Sequence, residues 1–440
     1  MERPKKHLSL GSLVKALRED LQKLEDNRQS HKIKYSMADI VLSAFGCMFF
    51  QDPSLLAFQK RMQDEHHLSN FNTIFNVERI PESTQLREVL DVVPPAELKK
   101  LFKEVFTRLQ RGKHLEQFQS IRGKYLVSID GTQYFTSDTT SCAHCLTKEH
   151  KNGTKTFHHN ALQAALVNPD IKQVIPVGVE DIRNEDGNKK QDCEINAAKR
   201  LIPELRKDHP QLEIVLLGDG LFSKHPMIEL VKGERMNYIF TVKPGDHKYL
   251  FDWIDNRSNR MADHEVNNSN GSVWKYRWIE GAPLESVGKS YVNFFELEIL
   301  VPNKETKVLE RSYRSSWITD LTLTATNIER ITRAARTRWK IENECFNNLK
   351  NQGYCLEHNF GHGSLSLSFN FYVLTLLAFL FHQVFELTDS LYQQARSRWS
   401  LRMLWERLRI AINLIIFTSW EQLIAHCLHP PPIHSTVSAY

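Results

Sequence analysis

The chain has little of what would place it outside the ordinary globular proteins of a reducing compartment. Seven cysteines among 440 residues, an odd number scattered from Cys47 to Cys427, argue against a disulfide scaffold. The N-terminus, MERPKKHLSLGSLV, lacks a sustained apolar stretch, so no secretory signal is expected. Internal repeats and low-complexity tracts are absent, which leaves no sign of a solenoid or a biased tail. Charge of one sign is also lacking. Lys+Arg exceed Asp+Glu by 57 to 52, a net +5 that permits a nucleic-acid partner without requiring one. Hydrophobic residues at 41% and charged residues at 25% exclude a mostly disordered chain. The length allows up to about three ordinary domains.

Long hydrophobic runs are scarce too. In FNFYVLTLLAFLFHQVFEL, residues 369–387, Asn370, His382, Gln383 and Glu386 interrupt the apolar character. The unbroken core, 371–381 with Thr375 inside it, is about half the ~20 residues a membrane span needs. A helix buried on all sides inside a large protein fits it better. The expectation is a cytoplasmic protein with no membrane partner.

What is present falls into five stretches. Residues 1–118 read as helical: Leu13, Leu17, Leu21 and Leu24 share one face, and a second helix runs from Met37 to Phe50. A third starts at the Pro-Pro-Ala-Glu beginning with Pro94 and buries Leu98, Leu101, Phe102, Val105, Phe106 and Leu109. From 119 to 245, KYLVSIDGTQYF, HHNALQAALVNP, KQVIPVGVEDI, the apolar run 212–217 and NYIFTVK read as strands. Helices over 193–207 and 226–231 alternate with them, which predicts an α/β layer structure. Residues 246–318 alternate as antiparallel strands around Trp274, Tyr276 and Trp278, and read as a β insertion. A long helix from Asn327 through Lys350 dominates 319–365. Residues 366–440 are mainly helical and end in the aperiodic tail HPPPIHSTVSAY.

Two aspartates are expected at the carboxyl ends of apolar strands beside glycine: Asp130 in LVSIDGT and Asp219 in IVLLGDG. Ligands of an α/β sheet bind in the crevice beyond those ends, and a neighbouring glycine permits close approach. An Asx turn or a helix cap explains either aspartate alone. The third candidate carboxylate lies in ARTRWKIENECFNNLKNQGY, where Arg338, Glu342, Phe346 and Leu349 share one helical face. Phe346 and Leu349 turn that face inward, so Glu342 needs a cation, either Arg338 or a metal. Glu344 lies about 200° away round the helix and is the reserve candidate, because only one of the two can join the aspartates. Three carboxylates with a nearby Arg and Lys suit Mg²⁺ or Mn²⁺, not zinc. Two such ions activate a water or a 3′-hydroxyl in phosphodiester displacement.

At these segments the chain resembles the DDE transposases of the insertion-sequence-four family, within the RNase H/retroviral-integrase superfamily. LVSIDGT, IVLLGDGLFSKHPMIELVKGERMNYIFTVK and RTRWKIENECFNNLKNQGY carry the likeness, together with their order and the β insertion between the second and third. The resemblance implies an RNase H-like core with the β insertion, flanked by helical N- and C-terminal regions, the N-terminal one binding DNA. It implies that Asp130, Asp219 and Glu342 hold the metals, two Mg²⁺ or Mn²⁺ ions. The reaction would be strand cleavage at the ends of a mobile element and 3′-OH transfer into target DNA, by a homodimer on double-stranded DNA in the nucleoid. The family's last motif is Tyr, two residues, Arg, three residues, Glu, six residues, Lys. Arg338 and Glu342 match it, but Ala335 holds the tyrosine position and Leu349 the lysine position, with Lys350 one step late.

Arg330, Arg333, Arg336, Arg338 and Lys340 give that helix a basic flank suited to phosphates, and Lys189, Lys190, Lys199, Arg200, Arg206 and Lys207 form a second basic stretch. Either can equally be a solvated face. A sequence-specific DNA-binding protein without catalysis, or a metal-dependent nuclease that never joins ends, remains the alternative function.

One further pattern stands apart. Cys142-x₂-Cys145 begins like a zinc knuckle, with His144, His150, His158 and His159 within reach and Cys193 farther on. Cys142, Cys145, His159 and Cys193 are the candidate ligands of a structural zinc. The alternative is a polar loop whose histidines meet DNA or solvent. His358 and His362 are expected in a glycine loop that ends the long helix.

Overall fold

Capping residues and apolar spacing set the N-terminal elements. In the computed structural model, which describes residues 6–62, 65–184, 191–286, 290–358 and 360–431, Ser9 caps α1 (Leu10–Leu21) and Ser36 caps α2 (Met37–Phe49) by accepting backbone amides. Next come α3 (Leu55–Met62), α4 (Glu65–Phe75), α5 (Ser83–Val92) and α6 (Pro95–Arg111). Helix α6 starts on proline and buries the six residues of its expected stripe. Lys189, Lys190 and the tail from residue 432 lie outside the described residues.

The strands are β1 (Tyr125–Ser137), β2 (Leu146–Glu149), β3 (Lys155–Asn168), β4 (Ile171–Ile182), β5 (Ile214–Gly218), β6 (Asn237–Val242), β7 (Ala262–Asn267), β8 (Val273–Pro283), β9 (Tyr291–Pro302) and β10 (Leu309–Thr319). They form one ten-stranded, mostly antiparallel sheet in the order β2-β3-β1-β5-β6-β10-β9-β8-β7, with β4 also paired to β3. Only β1 with β5 and β5 with β6 run parallel. Their crossovers are α7 (Glu194–Asp208) and α8 (His225–Gly233), as parallel pairing demands. The fold is mixed α/β.

One sequence expectation changes here. Strand β1 does not end at Asp130. It pairs with β5 only as far as Ser128, then continues against β3 to Ser137, with Asp130 opposite Gln163. The 246–318 stretch holds antiparallel strands, as expected of the β insertion. After α9 (Lys248–Asp255), β10 pairs with β6, so β7–β10 extend the same sheet.

The expected long helix is continuous in direction but not in pitch. It comprises α10 (Ile328–Arg336), a 3₁₀ turn at Thr337–Trp339, a π turn at Ile341–Phe346, and α11 (Asn347–Asn351). Such wide turns store an extra residue and recur at functional sites. The chain ends in α12 (Leu367–Thr388), α13 (Ser390–Arg398), α14 (Leu401–Leu414) and α15 (Trp420–Leu428). Among the described residues α12 is the one helix long and apolar enough to cross a membrane, and most of it is buried inside the protein. It packs on α2, α5, α6 and β4, the surroundings expected of a core helix. Phe49 of α2 meets Phe381 and Phe385 of α12, Trp405 of α14 and Trp420 of α15. One continuous core therefore joins the N-terminal helices, the sheet and the C-terminal helices.

Candidate functional site

The parallel pair β1–β5 builds the site. β5 ends at Gly218, and Asp130 lies two residues past Ser128, the last β5 partner in β1, so Asp130 and Asp219 emerge at the same end of the β1–β5 pairing. Asp219 uses Oδ1 to accept the Leu221 amide at 2.9 Å, which is the Asx turn that was the plain alternative for it. The turn is braced from below. Ser223 Oγ donates to the Gly220 carbonyl at 2.6 Å and accepts from His247 Nε2 at 2.6 Å. Burial pushes His247 down to about 4, so its ring is neutral near pH 7 and can supply that N–H.

The long helix delivers Glu342 and Arg338. Ser128 Oγ donates to the Arg338 carbonyl at 3.1 Å, and Gln163 Nε2 reaches Cys345 Sγ at 2.9 Å, so β1 and β3 both grip the helix at its irregular turns. Arg338 then bridges two carboxylates: Nη1 lies 3.0 Å from Asp130 Oδ2 and Nη2 2.8 Å from Glu342 Oε1. Asp130 Oδ1 also accepts the Gly131 amide at 3.0 Å. Burial pushes Asp130 up to about 7, with Glu342 and Asp219 adding to the rise and Arg338 opposing it. Asp130, Asp219, Glu342 and Arg338 thus meet in one place. Glu344 does not. It makes no ion pair with Arg338, and its backbone carbonyl accepts Asn348 Nδ2 at 2.6 Å.

A fourth carboxylate was not among the sequence candidates. Glu194, in the first turn of α7, fills the space left by the missing side chain of Gly131, where any Cβ would strike its carboxylate. Burial, then the charge of Asp219, pushes Glu194 upward. Its only sequence signal was an acid opening a helix, which ordinarily reads as a partner for the helix dipole. Four carboxylates against one guanidinium leave excess negative charge around these oxygens.

The basic residues divide. Arg336 lies over the rings of Trp274 and Tyr313, at 5.3 and 5.0 Å from their centroids. Together with Arg330, Arg333 and the exposed Trp339 it lines an open cleft. Arg333 pairs with Asp170. Tyr276 and Trp278 are buried, as expected of structural aromatics, and Tyr276 and the half-buried Trp274 both line the cleft. Lys340 is buried and donates to the Ile171 carbonyl at 2.6 Å, and Lys350 pairs with Glu357 at 2.8 Å, so neither ammonium is free on the surface. Arg200 is held by Glu180 and Asp192, and Arg206 by backbone carbonyls including Leu212. Lys199 and Lys207 stand exposed.

The cysteine–histidine expectation is corrected in one ligand. Cys142, Cys145 and His159 converge, but Cys193 is the exposed cap of α7 and takes no part. His362 occupies the fourth place. It does sit in the expected glycine loop, whose Gly363 has φ +69 and whose turn Asp91 holds by accepting the amides of Ser364, Leu365, Ser366 and Leu367 at 2.9–3.0 Å. That loop folds back onto the β1–β3 connection. Hydrogen bonding from Cys145 and the two imidazoles holds the Cys142 thiol far below its ordinary value, while Cys145 is pushed up. The four donor atoms all lie within 4.8 Å of one another, a group that can hold a metal ion.

No model of a known protein family matches the chain, and no curated protein is similar to it.

Proposed function

We propose that the chain is a metal-dependent DDE-type DNA transposase resembling the insertion-sequence-four family. The observation that carries this reading is the meeting of Asp130, Asp219 and Glu342 where the parallel β1–β5 pairing stops, on elements 208 residues apart in the case of Arg338 and Asp130. The strand order β4-β3-β1-β5-β6, three antiparallel strands followed by two added in parallel, is compatible with the RNase H-like core that the resemblance implies. Two Mg²⁺ or Mn²⁺ ions fit the all-oxygen donor set, and when bound they would activate the attacking oxygen and neutralise the leaving one.

The chain's own groups do the positioning. The Leu221 amide holds Asp219, and the Gly131 amide and Arg338 between them hold both oxygens of Asp130. Arg338 holds Asp130 and Glu342 together until a cation competes for their oxygens, and afterwards is a donor for a DNA phosphate. The cleft of Arg336, Arg330 and Trp274 beside the long helix would carry the duplex by phosphate contacts. The substrate is double-stranded DNA at paired element ends, bound by two copies of the chain. Incubation with DNA flanking the gene, in Mg²⁺, Mn²⁺ or EDTA and beside Asp219→Ala, tests this. Metal-dependent 3′-OH ends and joined products, absent from the variant, are expected. One observation favours a second reading, DNA binding without catalysis: Arg338 already satisfies two of the three carboxylates. Tight binding with no cleavage in either metal would select it.

A further inference from the structure

We infer that Cys142, Cys145, His159 and His362 form a structural zinc site that clamps the β1–β3 connection to the loop preceding α12. The inference stands whether or not the carboxylates hold magnesium. Its basis is the shape of the cluster. Zinc bonds of about 2.3 Å to sulfur and 2.05 Å to nitrogen, set at tetrahedral angles, put the donors about 3.8 Å apart for S–S, 3.6 Å for S–N and 3.4 Å for N–N. Here Cys142 Sγ and Cys145 Sγ are 3.7 Å apart. His159 Nε2 lies 3.6 Å from Cys142 Sγ and 3.4 Å from Cys145 Sγ, and His362 Nε2 lies 3.4 Å from Cys145 Sγ. The two Nε2 atoms are 3.2 Å apart. Five edges of the tetrahedron are therefore in place.

Ligand chemistry agrees. Two thiolates with two neutral imidazoles select zinc over magnesium and cancel its charge, which suits a site with two buried and two half-buried ligands. His362 donates Nδ1–H to the Gly363 carbonyl at 3.0 Å, which fixes the tautomer that leaves Nε2 free to ligate. His159 stacks on Tyr134 and has no hydrogen-bond partner at its buried Nδ1. The ring is thus oriented by its packing and by the donors facing its Nε2.

The site's place gives it a role. Cys142 and Cys145, in the loop after β1, and His159, on β3, follow Asp130 in the chain, and His362 follows Glu342 beyond the long helix. One ion would tie together the two segments that carry those carboxylates, with Cys145 and His362, 217 positions apart, closing a single loop.

The test is metal analysis of the full chain, purified under reducing conditions and passed over a chelating resin. About one equivalent of zinc is expected, with X-ray absorption giving two sulfur neighbours near 2.3 Å and two nitrogen neighbours near 2.0 Å. Cys193→Ser should keep it and Asp219→Asn should keep it. Cys142→Ser and His362→Ala should fall to under about a tenth, with circular dichroism recording whether they still fold. In wild type, stripping the zinc should raise hydrogen exchange in 138–160 and 357–366 together and leave β5 and β6 unchanged. No retained zinc after exposure to it, a coordination shell without sulfur, or a Cys142–Cys145 disulfide in the reduced preparation would overturn the site. Faster exchange in the 138–160 segment alone would overturn the clamp.

Discussion

Replacing Asp130 by asparagine probes the carboxylate cluster before any DNA is added. Burial, with Glu342 and Asp219 beside it, lifts Asp130 from 3.8 to about 7. A carboxyl raised in this way holds its proton more tightly folded than unfolded. Its stabilising contribution is complete below the unfolded value and is lost as the pH rises through 7. The rise of about three units is worth ~4 kcal/mol at pH 8 and ~2 kcal/mol at pH 5, where chiefly the unfolded chain has released the proton. Asparagine stays neutral throughout, and the pull of Arg338 is already contained in the shift. Asp130→Asn is therefore expected to be the more stable protein in EDTA, by ~2 kcal/mol at pH 5 rising toward ~4 kcal/mol at pH 8. Urea unfolding of both chains at the two pH values, extrapolated to water, measures it. Magnesium at about 100 times its dissociation constant should return ~2.7 kcal/mol to wild type and nothing to the variant. A difference that is flat between the two pH values, or that favours wild type in EDTA, refutes the account of Asp130.

Four other outcomes follow from the same geometry. Glu342→Gln should lower metal-dependent DNA cleavage by about a thousandfold, whereas Glu344→Gln stays within about threefold; equal losses in a cleavage assay would show that the helix presents the wrong glutamate. Gly131→Ala displaces the Glu194 carboxylate and should cost about 1–3 kcal/mol in urea unfolding. Arg336→Ala should weaken DNA binding and reduce the slope of log affinity against log salt by about 1, while Lys340→Ala should cost stability and leave the slope alone. Phe381→Ala, in the aromatic cluster of α2 and α12, should destabilise by about 3–5 kcal/mol, and wild type should not float with lipid vesicles.

Much of the site's inventory was legible in advance because its signals are local. Asp130 and Asp219 each stand beside a glycine next to an apolar run, and Arg338 and Glu342 are one helical turn apart, so a short window shows each pair. The choice of Glu342 over Glu344 followed from which face carries Phe346 and Leu349, both buried in the structure. Cys142 and Cys145 announce themselves by spacing. His362 and Glu194 did not, since neither shares a motif with the residues it meets. Cys193 was a reasonable fourth ligand by distance along the chain, and it failed because the cap of α7 points to solvent. The basic residues show the same limit of a sequence reading. A string of cations shows charge but not its partners, and here Ile171, Glu357, Glu180 and Asp192 occupy Lys340, Lys350 and Arg200.

The sequence by itself determined the elements of this protein: caps, apolar stripes and alternation act within a few residues, and α2, α6, α12 and the central strands appear where those patterns lie. It also determined the kinds of donor atom available, carboxylate oxygens in one set and thiol and imidazole in the other. Tertiary structure alone decided how they combine. It ran β1 past Asp130 and joined β10 to β6. It set Arg338 between two carboxylates and brought His362 to Cys145 across 217 residues. Those contacts depend on how sheet and helices pack into one core, and packing between distant segments leaves no periodic trace in the chain.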